Sequence, residues 1–313
     1  MKFPSPSSNG AVISITDLSR SFGPKTVLDN ISLYVPKGGV FGLVGENGAG
    51  KTTLIKHVLG LLGAESGTVR VFGLDPVKDP VGVLGRVGYL SEQPDLPGWM
   101  RVDEFMRYTA AFYPKWDAAY AEELRHSFQL PPQARIKSLS KGQRAKVGLL
   151  AAQAHRPDLL LLDEPSSGLD PLARRDILEA VIRTVADERR TVFFSTHFLD
   201  EIERVSDHIA MLDQGKLVLC GPLDEVKQSY RRIALHFHVS QTLTPAIPGA
   251  LIVTGAGKEW SAVVKIQAET MPEIFASFGA RIVGEQGPSL TEIFVAHATR
   301  QSSDRAASQT PAS

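Results

Sequence analysis

The chain has 313 residues, and its 34 basic and 34 acidic side chains leave no formal net charge at pH 7. This length has room for one large domain and a smaller one, and the balanced charge argues against a dedicated nucleic-acid binder. The single cysteine, Cys220, excludes an intrachain disulfide and fits a reducing compartment. The segment Met1–Gly10 is rich in Pro and Ser and is predicted to be a flexible N-terminus, and without an apolar core it is not expected to be a signal peptide. No apolar stretch approaches the roughly 18 residues that cross a bilayer, so action at a membrane requires a partner.

Two strands are predicted at the start of the chain, over Ala11–Ile15 and Val27–Val35, with a turn at Ser21–Pro24 between them. Two early strands of this kind suggest a small antiparallel sheet packed on the core that follows. Phe22 stands in the turn, where an aromatic ring either stacks on a nucleobase or packs into the turn itself. Its position alone leaves both interpretations open.

A glycine-rich loop follows the third predicted strand, Val40–Val44. The loop fits the pattern G-x-x-x-x-G-K-T, and apolar residues with helical spacing continue from Thr53 to Leu59. In such a loop the backbone N–H groups surround a phosphate, Lys51 reaches the β- and γ-phosphates, and the Thr52 hydroxyl binds Mg²⁺. The sequence therefore predicts a nucleoside-triphosphate site. Its predicted nucleotide-binding residues are Gly45, Asn47, Gly48, Ala49, Gly50, Lys51, Thr52 and Thr53.

The middle of the chain is predicted to change from strands to helices. Ser66–Phe72 and Arg86–Ser91 have the pattern of strands, and Val102–Leu130 has that of two helices divided by Pro114. Aromatic residues on a helical lobe pack between its helices or mark an interface, and both interpretations stay open. The aromatic residues of this region are Trp99, Phe112, Tyr113 and Trp116.

A second helix that suits an anion is predicted after Ser138. Ser140 is a good N-cap for a helix through Ala145–His155, because its hydroxyl accepts from a backbone N–H of the first turn. The remaining N–H groups of that turn point outward, as at other anion-binding helix ends. By itself this signal is weak, since most capped helices bind nothing.

Acidic side chains end the apolar strand predicted over Leu159–Pro165. A buried strand end is a costly place for charge unless the charge is used. Asp163 suits Mg²⁺ coordination through water, and Glu164 suits the polarisation of a nucleophilic water. A lone histidine at a strand end is usually structural, but His197 follows the strand Thr191–Thr196 and falls at the same predicted sheet edge.

A domain boundary is predicted near Gly221-Pro222. The residues after it, 222–298, are expected to form a small α/β domain without a catalytic constellation. Within this domain the predicted strands include Leu251–Thr254 and Ala262–Ile266, and an amphipathic helix is predicted over Met271–Phe278. The composition of residues 299–313 predicts a disordered tail.

Taken in order, these motifs resemble those of the ATP-binding subunit of an ABC transporter over about residues 11–220. The phosphate loop is similar to a Walker A motif and Leu159–Glu164 to a Walker B motif. Leu139–Gln143 resembles the family signature, with Lys141 where the usual L-S-G-G-Q has a glycine. Ser167–Asp170 resembles the D-loop. Through the resemblance, Gln93 is a Q-loop residue with catalytic and metal-binding roles, His197 a catalytic switch histidine, and Phe22 the adenine-stacking aromatic.

The resemblance implies a fold and a way of working. The expected fold is an α/β phosphate-loop ATPase core, over residues 11–221, with an antiparallel β subdomain and a helical insert at about residues 100–155. ATP and Mg²⁺ are the expected cofactors, and a homodimer is implied in which each site combines one chain's phosphate loop with the other's Ser140, Gly142 and Gln143. A membrane permease is the expected partner, at the cytoplasmic face of the cell membrane, and no nucleic acid is expected.

The last helix, Ser289–Ala298, resembles the ending of drug-export-type members, so an exporter is the leading expectation. A soluble ABC ATPase acting on DNA or ribosomes is the main alternative. Such members commonly carry tandem nucleotide domains or long coiled-coil insertions, which this sequence does not show. A second alternative, a phosphate-loop kinase or other phosphotransferase, would need neither the signature nor the D-loop sequence.

Overall fold

The computed structural model of the chain describes residues 10–188, 190–247, 249–265 and 279–308. The chain divides into two compact units, of which the first ends at Cys220 and the second begins at Gly221. The strands of the first unit are β1 (Ala11–Phe22), β2 (Lys25–Pro36), β3 (Gly39–Val44), β4 (Ser66–Val71), β5 (Val87–Leu90), β6 (Leu159–Asp163), β7 (Thr191–Thr196), β8 (His208–Asp213) and β9 (Lys216–Pro222).

The helices of the first unit alternate with these strands. They are α1 (Lys51–Val58), α2 (Pro80–Leu84), α3 (Val102–Ala110), α4 (Ala118–Ser127), α5 (Lys141–Gln153), α6 (Pro171–Glu188) and α7 (Leu199–Val205). The insert between β5 and β6 consists of α3, α4 and α5 with a short 3₁₀ turn, Ile136–Ser138. Among the described residues, no helix is long and apolar enough to cross a membrane.

A three-stranded sheet in the order β2-β1-β4 forms the predicted antiparallel subdomain, and both pairings of β1 are antiparallel. The strand β1 alternates between inward and outward side chains, as expected of a sheet with one covered face. Its inward residues Ile13, Ile15 and Leu18 are fully buried and belong to the same apolar core as Leu54 and Ile55 of α1. The phosphate loop therefore lies in a region that both sheets help to pack.

The six-stranded sheet has the order β5-β6-β7-β3-β8-β9. The pairings β5–β6, β6–β7, β3–β7 and β3–β8 are all parallel. Every residue of β6 and of β7 is buried, which agrees with the continuous apolar runs typical of parallel strands covered on both faces. Because these strands run in one direction, the carboxyl ends of β3, β5, β6 and β7 meet at one edge of the sheet.

The second unit contains a sheet and two described helices. Its elements are α8 (Leu223–Gln228), β10 (Tyr230–Gln241), β11 (Ala250–Lys265), β12 (Ala280–Gln286) and α9 (Leu290–Ser308). The sheet has the order β11-β10-β12, with antiparallel pairings, around a small core that includes Ile233, Leu235 and Trp260.

The strand β11 folds back on itself, although its bounds are continuous. Lys265 N donates to Gly249 O at 3.3 Å, and a Cβ on Gly255 would lie 2.6 Å from Trp260 Cα. The two arms of this hairpin contain the separate strands predicted over Leu251–Thr254 and from Ala262. Gly257, with φ +62°, lies at the turn, where a residue with a side chain rarely fits.

The C-terminal helix differs from its prediction. The structure continues α9 to Ser308, so the disordered tail predicted from Thr299 does not begin there. A composition low in apolar residues predicts that a segment cannot form a core, but it does not prevent a helix from extending outward from a packed start. The helix predicted over Met271–Phe278, residues 1–9 and residues 309–313 lie outside the described residues.

We expect the substitution Leu161→Ala to destabilise the protein by about 2–5 kcal/mol, because it opens a cavity in the middle of β6. Leu161 is fully buried, whereas Leu61 is 63% exposed. Leu61→Ala is therefore the matched control, expected to change the free energy of unfolding by less than about 0.5 kcal/mol. Urea denaturation measures both values, and equal effects would contradict the assignment of Leu161 to the core.

Candidate functional site

The loop between β3 and α1 has backbone angles that its glycines permit. Gly48 has φ +84° and Gly50 has φ +109°, in the region that residues with side chains rarely adopt. A Cβ on Gly50 would also lie 2.8 Å from Val27 O. Gly50 is therefore glycine for conformational and steric reasons at once, whereas Gly48 is glycine because of its backbone angle. Asn47 and Gly48 are exposed at the tip of this loop, while Ala49 is buried beneath it.

Lys51, the first residue of α1, is 5% exposed and points back across the loop. Its Nζ donates to Gly45 O at 2.5 Å and to Glu46 O at 3.0 Å. The same ammonium group lies 3.0 Å from Glu164 Oε1. The phosphate-loop lysine and the acid predicted to act on water are thus joined in an almost fully buried ion pair.

Asp163 ends β6 and faces a different set of partners. Ser195 Oγ, on the neighbouring strand β7, donates to Asp163 Oδ1 at 2.7 Å. Burial raises the pKa of the Asp163 carboxyl above its ordinary value, while hydrogen bonds from Ser195 and Thr52 oppose this shift. A buried carboxylate beside the Thr52 hydroxyl forms an oxygen donor pair of the kind that Mg²⁺ prefers.

Glu164 turns away from the direction of β6, because its φ of +49° lies in the left-handed region. Its backbone N–H is held by two oxygens of Ser195, the carbonyl at 3.1 Å and the hydroxyl at 3.0 Å. The side chain is 5% exposed, and its Oε2 lies 2.7 Å from His197 Nδ1. One carboxylate therefore contacts Lys51 through one oxygen and His197 through the other.

Two residues of this region, Ser195 and Glu201, were not identified from the sequence as functional candidates. Ser195 is the register partner of Asp163 in the β6–β7 pairing and contacts both consecutive acids. Glu201 lies in α7, is 1% exposed, and accepts hydrogen bonds from Ser166 and Thr196. The sequence signal for Ser195 is its place next to a strand end. The sequence signal for Glu201 is its place beside the apolar Ile202, and this signal predicts burial of the Glu201 side chain only once α7 is known to pack inward.

The signature-like segment forms the capped start of α5. Ser140 Oγ accepts from Gln143 N at 3.1 Å, and Gln143 Oε1 accepts from Ser140 N at 3.0 Å. Gly142 is buried, and a Cβ there would lie 2.7 Å from Ala173 Cβ of α6. Lys141 Nζ lies against Gly168, in the loop that resembles the D-loop, so closely that a Cβ on Gly168 would collide with it.

The remaining predicted site residues lie apart from the Lys51–Glu164–His197 contacts. Phe22 is 46% exposed at the end of β1, and the guanidinium of Arg20 lies 4.8 Å from its ring centroid. Gln93 is exposed in the loop after β5. Its neighbour Glu92 accepts a hydrogen bond from Ser167 at 3.3 Å. The geometry thus brings Lys51, Thr52, Asp163, Glu164 and His197 together and leaves Phe22, Gln93 and the start of α5 at the surface.

Comparison with known proteins identifies the family of the chain. A family model described as ABC transporter matches residues 28–167. The ABC transporter ATP-binding protein YtrB of Bacillus subtilis is 29% identical over 285 residues, which cover 91% of this chain and 97% of YtrB. The bacitracin transport ATP-binding protein BcrA of Bacillus licheniformis is 32% identical over 232 residues, which cover 73% of this chain and 75% of BcrA.

A solved structure of the ATP-binding subunit of an ABC transporter has the same fold. It superposes with a TM-score of 0.63 at 30% sequence identity and covers 69% of this chain and 92% of its own. These relatives are transporter subunits, so an ABC ATPase acting on DNA or ribosomes is not favoured. The chain belongs to the ABC transporter family, as one of its ATP-binding and ATP-hydrolysing subunits.

Proposed function

We propose that this subunit works in pairs at the cytoplasmic face of a membrane and drives export through a separate permease. The observation that carries the catalytic part is the Glu164 carboxylate, which lies 3.0 Å from Lys51 Nζ and 2.7 Å from His197 Nδ1. This group is positioned between a phosphate-binding cation and a proton-carrying ring. Such a position suits a general base that acts beside the terminal phosphate.

Each contact of Glu164 has a role in the proposed mechanism. Lys51 binds the β- and γ-phosphates, and phosphate oxygens that take over its ammonium group leave Glu164 with His197 as its partner. Glu164 then orients the attacking water and accepts its proton. His197 donates its Nδ1–H to the carboxylate, which fixes the direction of the acid and leaves the other ring nitrogen for the phosphate side.

The residues present fit a magnesium ion. Asp163 and Thr52 would hold this ion. Gln93 is exposed in the loop after β5, and we propose that it is a further ligand of the ion. When bound, Mg²⁺ supplies neutralisation of the phosphate charge. Ser195 keeps Asp163 oriented by donating to Oδ1, and the other carboxylate oxygen would be the one available to a cation. Phe22, exposed at the end of β1, is proposed to stack on the adenine ring.

The proposed pairing of two copies explains the exposed start of α5. Ser140 is exposed, and its capping box with Gln143 is complete within α5. A capped helix start with outward N–H groups suits a phosphate of a nucleotide held by another subunit. We propose a homodimer in which Ser140, Gly142 and Gln143 of one copy complete the site of the other.

The first unit has an apolar groove that is a candidate docking surface for the proposed permease. This groove lies between α2 and the segment after α3, lined by Val81, Leu84 and Phe112 among others. Val81 is 83% exposed and Phe112 is 64% exposed, which is costly without a partner. We propose that an apolar cytoplasmic segment of the permease docks here. Export as the direction of transport is proposed from the resemblance of the last helix to that of drug-export-type members.

Replacing Lys51 with alanine is expected to abolish tight ATP binding, because it removes a charge-assisted contact to phosphate. Lys56, exposed on the same helix, provides the matched control Lys56→Ala, whose affinity should stay within about twofold of wild type. Titration with a fluorescent ATP analogue measures both affinities. Unchanged affinity in folded Lys51→Ala would remove Lys51 from its proposed role.

Glu164→Gln is expected to bind ATP and to lower the hydrolysis rate about 10²-fold or more, the usual range for a lost general base. Because hydrolysis is blocked, ATP with Mg²⁺ should hold two copies together, so the variant should elute as a dimer with nucleotide and as a monomer without it. Light scattering after size exclusion measures the mass, and phosphate release measures turnover. Exposed Glu179 provides the control Glu179→Gln.

Two outcomes count against different parts of this proposal. Wild-type turnover in Glu164→Gln would reject the general base. Slow turnover without an ATP-dependent dimer would leave the base in place and reject the shared site for the isolated subunit.

Phe112→Asp is expected to keep ATPase activity and to lose the permease, because it places a charge in the apolar groove. The full chain is used as bait on detergent-solubilised membranes of the native cells, and the captured integral membrane protein is identified by mass spectrometry and quantified. Leu61→Asp, an equally drastic change at an exposed leucine outside the groove, should retain capture. Equal capture by both variants would contradict the docking surface.

A further inference from the structure

A buried acid, Glu201, contacts three different elements next to the catalytic pair. It lies on α7 and is 1% exposed. Its Oε1 accepts from Ser166 Oγ at 2.7 Å, in the loop that follows Glu164, and lies 3.5 Å from Arg174 Nε of α6. Its Oε2 accepts from Thr196 Oγ1 at 2.7 Å, at the end of β7. Both carboxylate oxygens are therefore used.

The contact with Thr196 continues to the backbone around His197. Thr196 Oγ1 donates to Glu201 and accepts from Phe198 N at 3.0 Å. The hydroxyl thus ties together the residues on both sides of His197. Because its only proton points to Glu201, its lone pair stays available for Phe198 N. Glu201 fixes the direction of this hydroxyl and, through it, the turn that carries the histidine.

The contact with Arg174 reaches the imidazole by a second route. The Arg174 guanidinium lies 3.9 Å from the Phe198 ring centroid, and the Phe198 ring lies 3.9 Å from that of His197. Glu201 therefore orients a cation that covers Phe198, and Phe198 in turn packs against the histidine. The two routes, through Thr196 and through Arg174, start at the same carboxylate.

Burying this acid is costly, and its surroundings compensate for the cost. Burial raises the pKa of the Glu201 carboxyl, while the hydrogen bonds from Ser166 and Thr196 and the charge of Arg174 oppose the shift. A buried charge of this kind stabilises a fold poorly compared with an apolar residue of similar volume. The buried charge is explained if the Glu201 carboxylate holds two loops of the active site in one arrangement, which an apolar side chain could not do.

We propose that Glu201 is a positioning residue for ATP hydrolysis, which holds the loop after Glu164 and the turn around His197 in one fixed relation. The inference rests on the roles proposed above for Glu164 and His197. Glu201 acts on both residues through Ser166, Thr196 and Arg174, which it contacts directly. Ser166 directly precedes Ser167–Asp170, which resembles the D-loop, so the same acid also links the hydrolytic pair to that loop.

The test is Glu201→Gln in the full chain. Gln keeps the shape but replaces one acceptor oxygen by an N–H donor, so one of the two hydroxyl bonds is lost or reversed. We expect kcat to fall about 10-fold or more, the size of effect that follows small displacements of catalytic groups, while the KM for ATP and the ATP affinity stay near wild type. The ¹⁵N resonance of His197 Nδ1 is expected to shift. Exposed Glu203 on the same helix provides the control Glu203→Gln, expected to leave all these values unchanged.

A second pair of variants keeps the test decisive if Glu201→Gln fails to fold. Thr196→Val removes the hydroxyl at nearly constant volume, whereas Thr196→Ser keeps it. We expect Thr196→Ser to turn over at least several-fold faster than Thr196→Val, with similar ATP affinities. Where Glu201→Gln folds, combining it with Thr196→Val should lower kcat by less than the product of the single effects, because both remove one link.

Three outcomes would overturn the inference. One is a folded Glu201→Gln with wild-type kcat and an unshifted His197 resonance. Another is a parallel loss of ATP affinity and kcat, which indicates general damage to the fold. A third is equal turnover by Thr196→Ser and Thr196→Val. If instead Glu164→Gln turns over normally, the proposed catalytic mechanism itself fails. If Glu164→Gln is inactive but Glu201→Gln is fully active, the mechanism stands and only the role of Glu201 is rejected.

Discussion

The buried contact of Glu164 with both Lys51 and His197 depends on three neighbouring parallel strands. Lys51 follows β3, Glu164 follows β6 and His197 follows β7, and these strands lie in the order β6-β7-β3. A carboxylate that is 5% exposed costs several kcal/mol of desolvation if it has no partner. The register of the sheet must therefore hold all three strand ends level. The strands β6 and β7, in which every residue is buried, hold that register, since a slip of either strand would separate Asp163 from its partner Ser195.

Around this contact, hydroxyl groups of β7 hold the buried carboxylates of Asp163 and Glu201 and the backbone of Glu164. Ser195 contacts both Asp163 and the backbone of Glu164, and Thr196 contacts both Glu201 and the backbone of Phe198. These two consecutive residues of β7 therefore connect every acid of the region to the sheet. A hydroxyl group suits this position because it donates and accepts at once, and it carries no charge that burial would penalise.

The two anion-suited helix starts of the first unit differ in their exposure. At α1 the cation and its acid are buried, so the chemistry is shielded from water within one chain. At α5 the cap is exposed and self-satisfied, and Lys141 extends from it towards Gly168. One chain thus has a buried phosphate-loop half and an exposed signature-like half. This division fits the proposed site that two copies share. Lys141 also adds a positive charge to the signature-like segment. This charge lies against the loop after β6 of the same chain.

The phosphate loop, the consecutive acids after an apolar strand and the order of the motifs were predictable from the sequence, because each is a local pattern with a local physical cause. Glycines at Gly48 and Gly50 follow from positive φ angles, and the run from Leu159 follows from burial on both faces. Strand-like patterns also predicted the antiparallel subdomain and both arms of the β11 hairpin, and helical spacing of apolar residues predicted the helical insert.

Only the tertiary structure decided which distant residues meet. Ser195 contacts both consecutive acids because β7 lies beside β6, and no local pattern around Ser195 indicates this strand order. Glu201 contacts Ser166, Thr196 and Arg174 because of the way α7 packs, which its local sequence does not indicate either. The extension of α9 to Ser308 was missed for a related reason, because composition measures the capacity to form a core and not the continuation of a helix. The sequence determined the chemical groups of this ATPase, and strand order, which no single segment encodes, determined that Glu164 lies between Lys51 and His197.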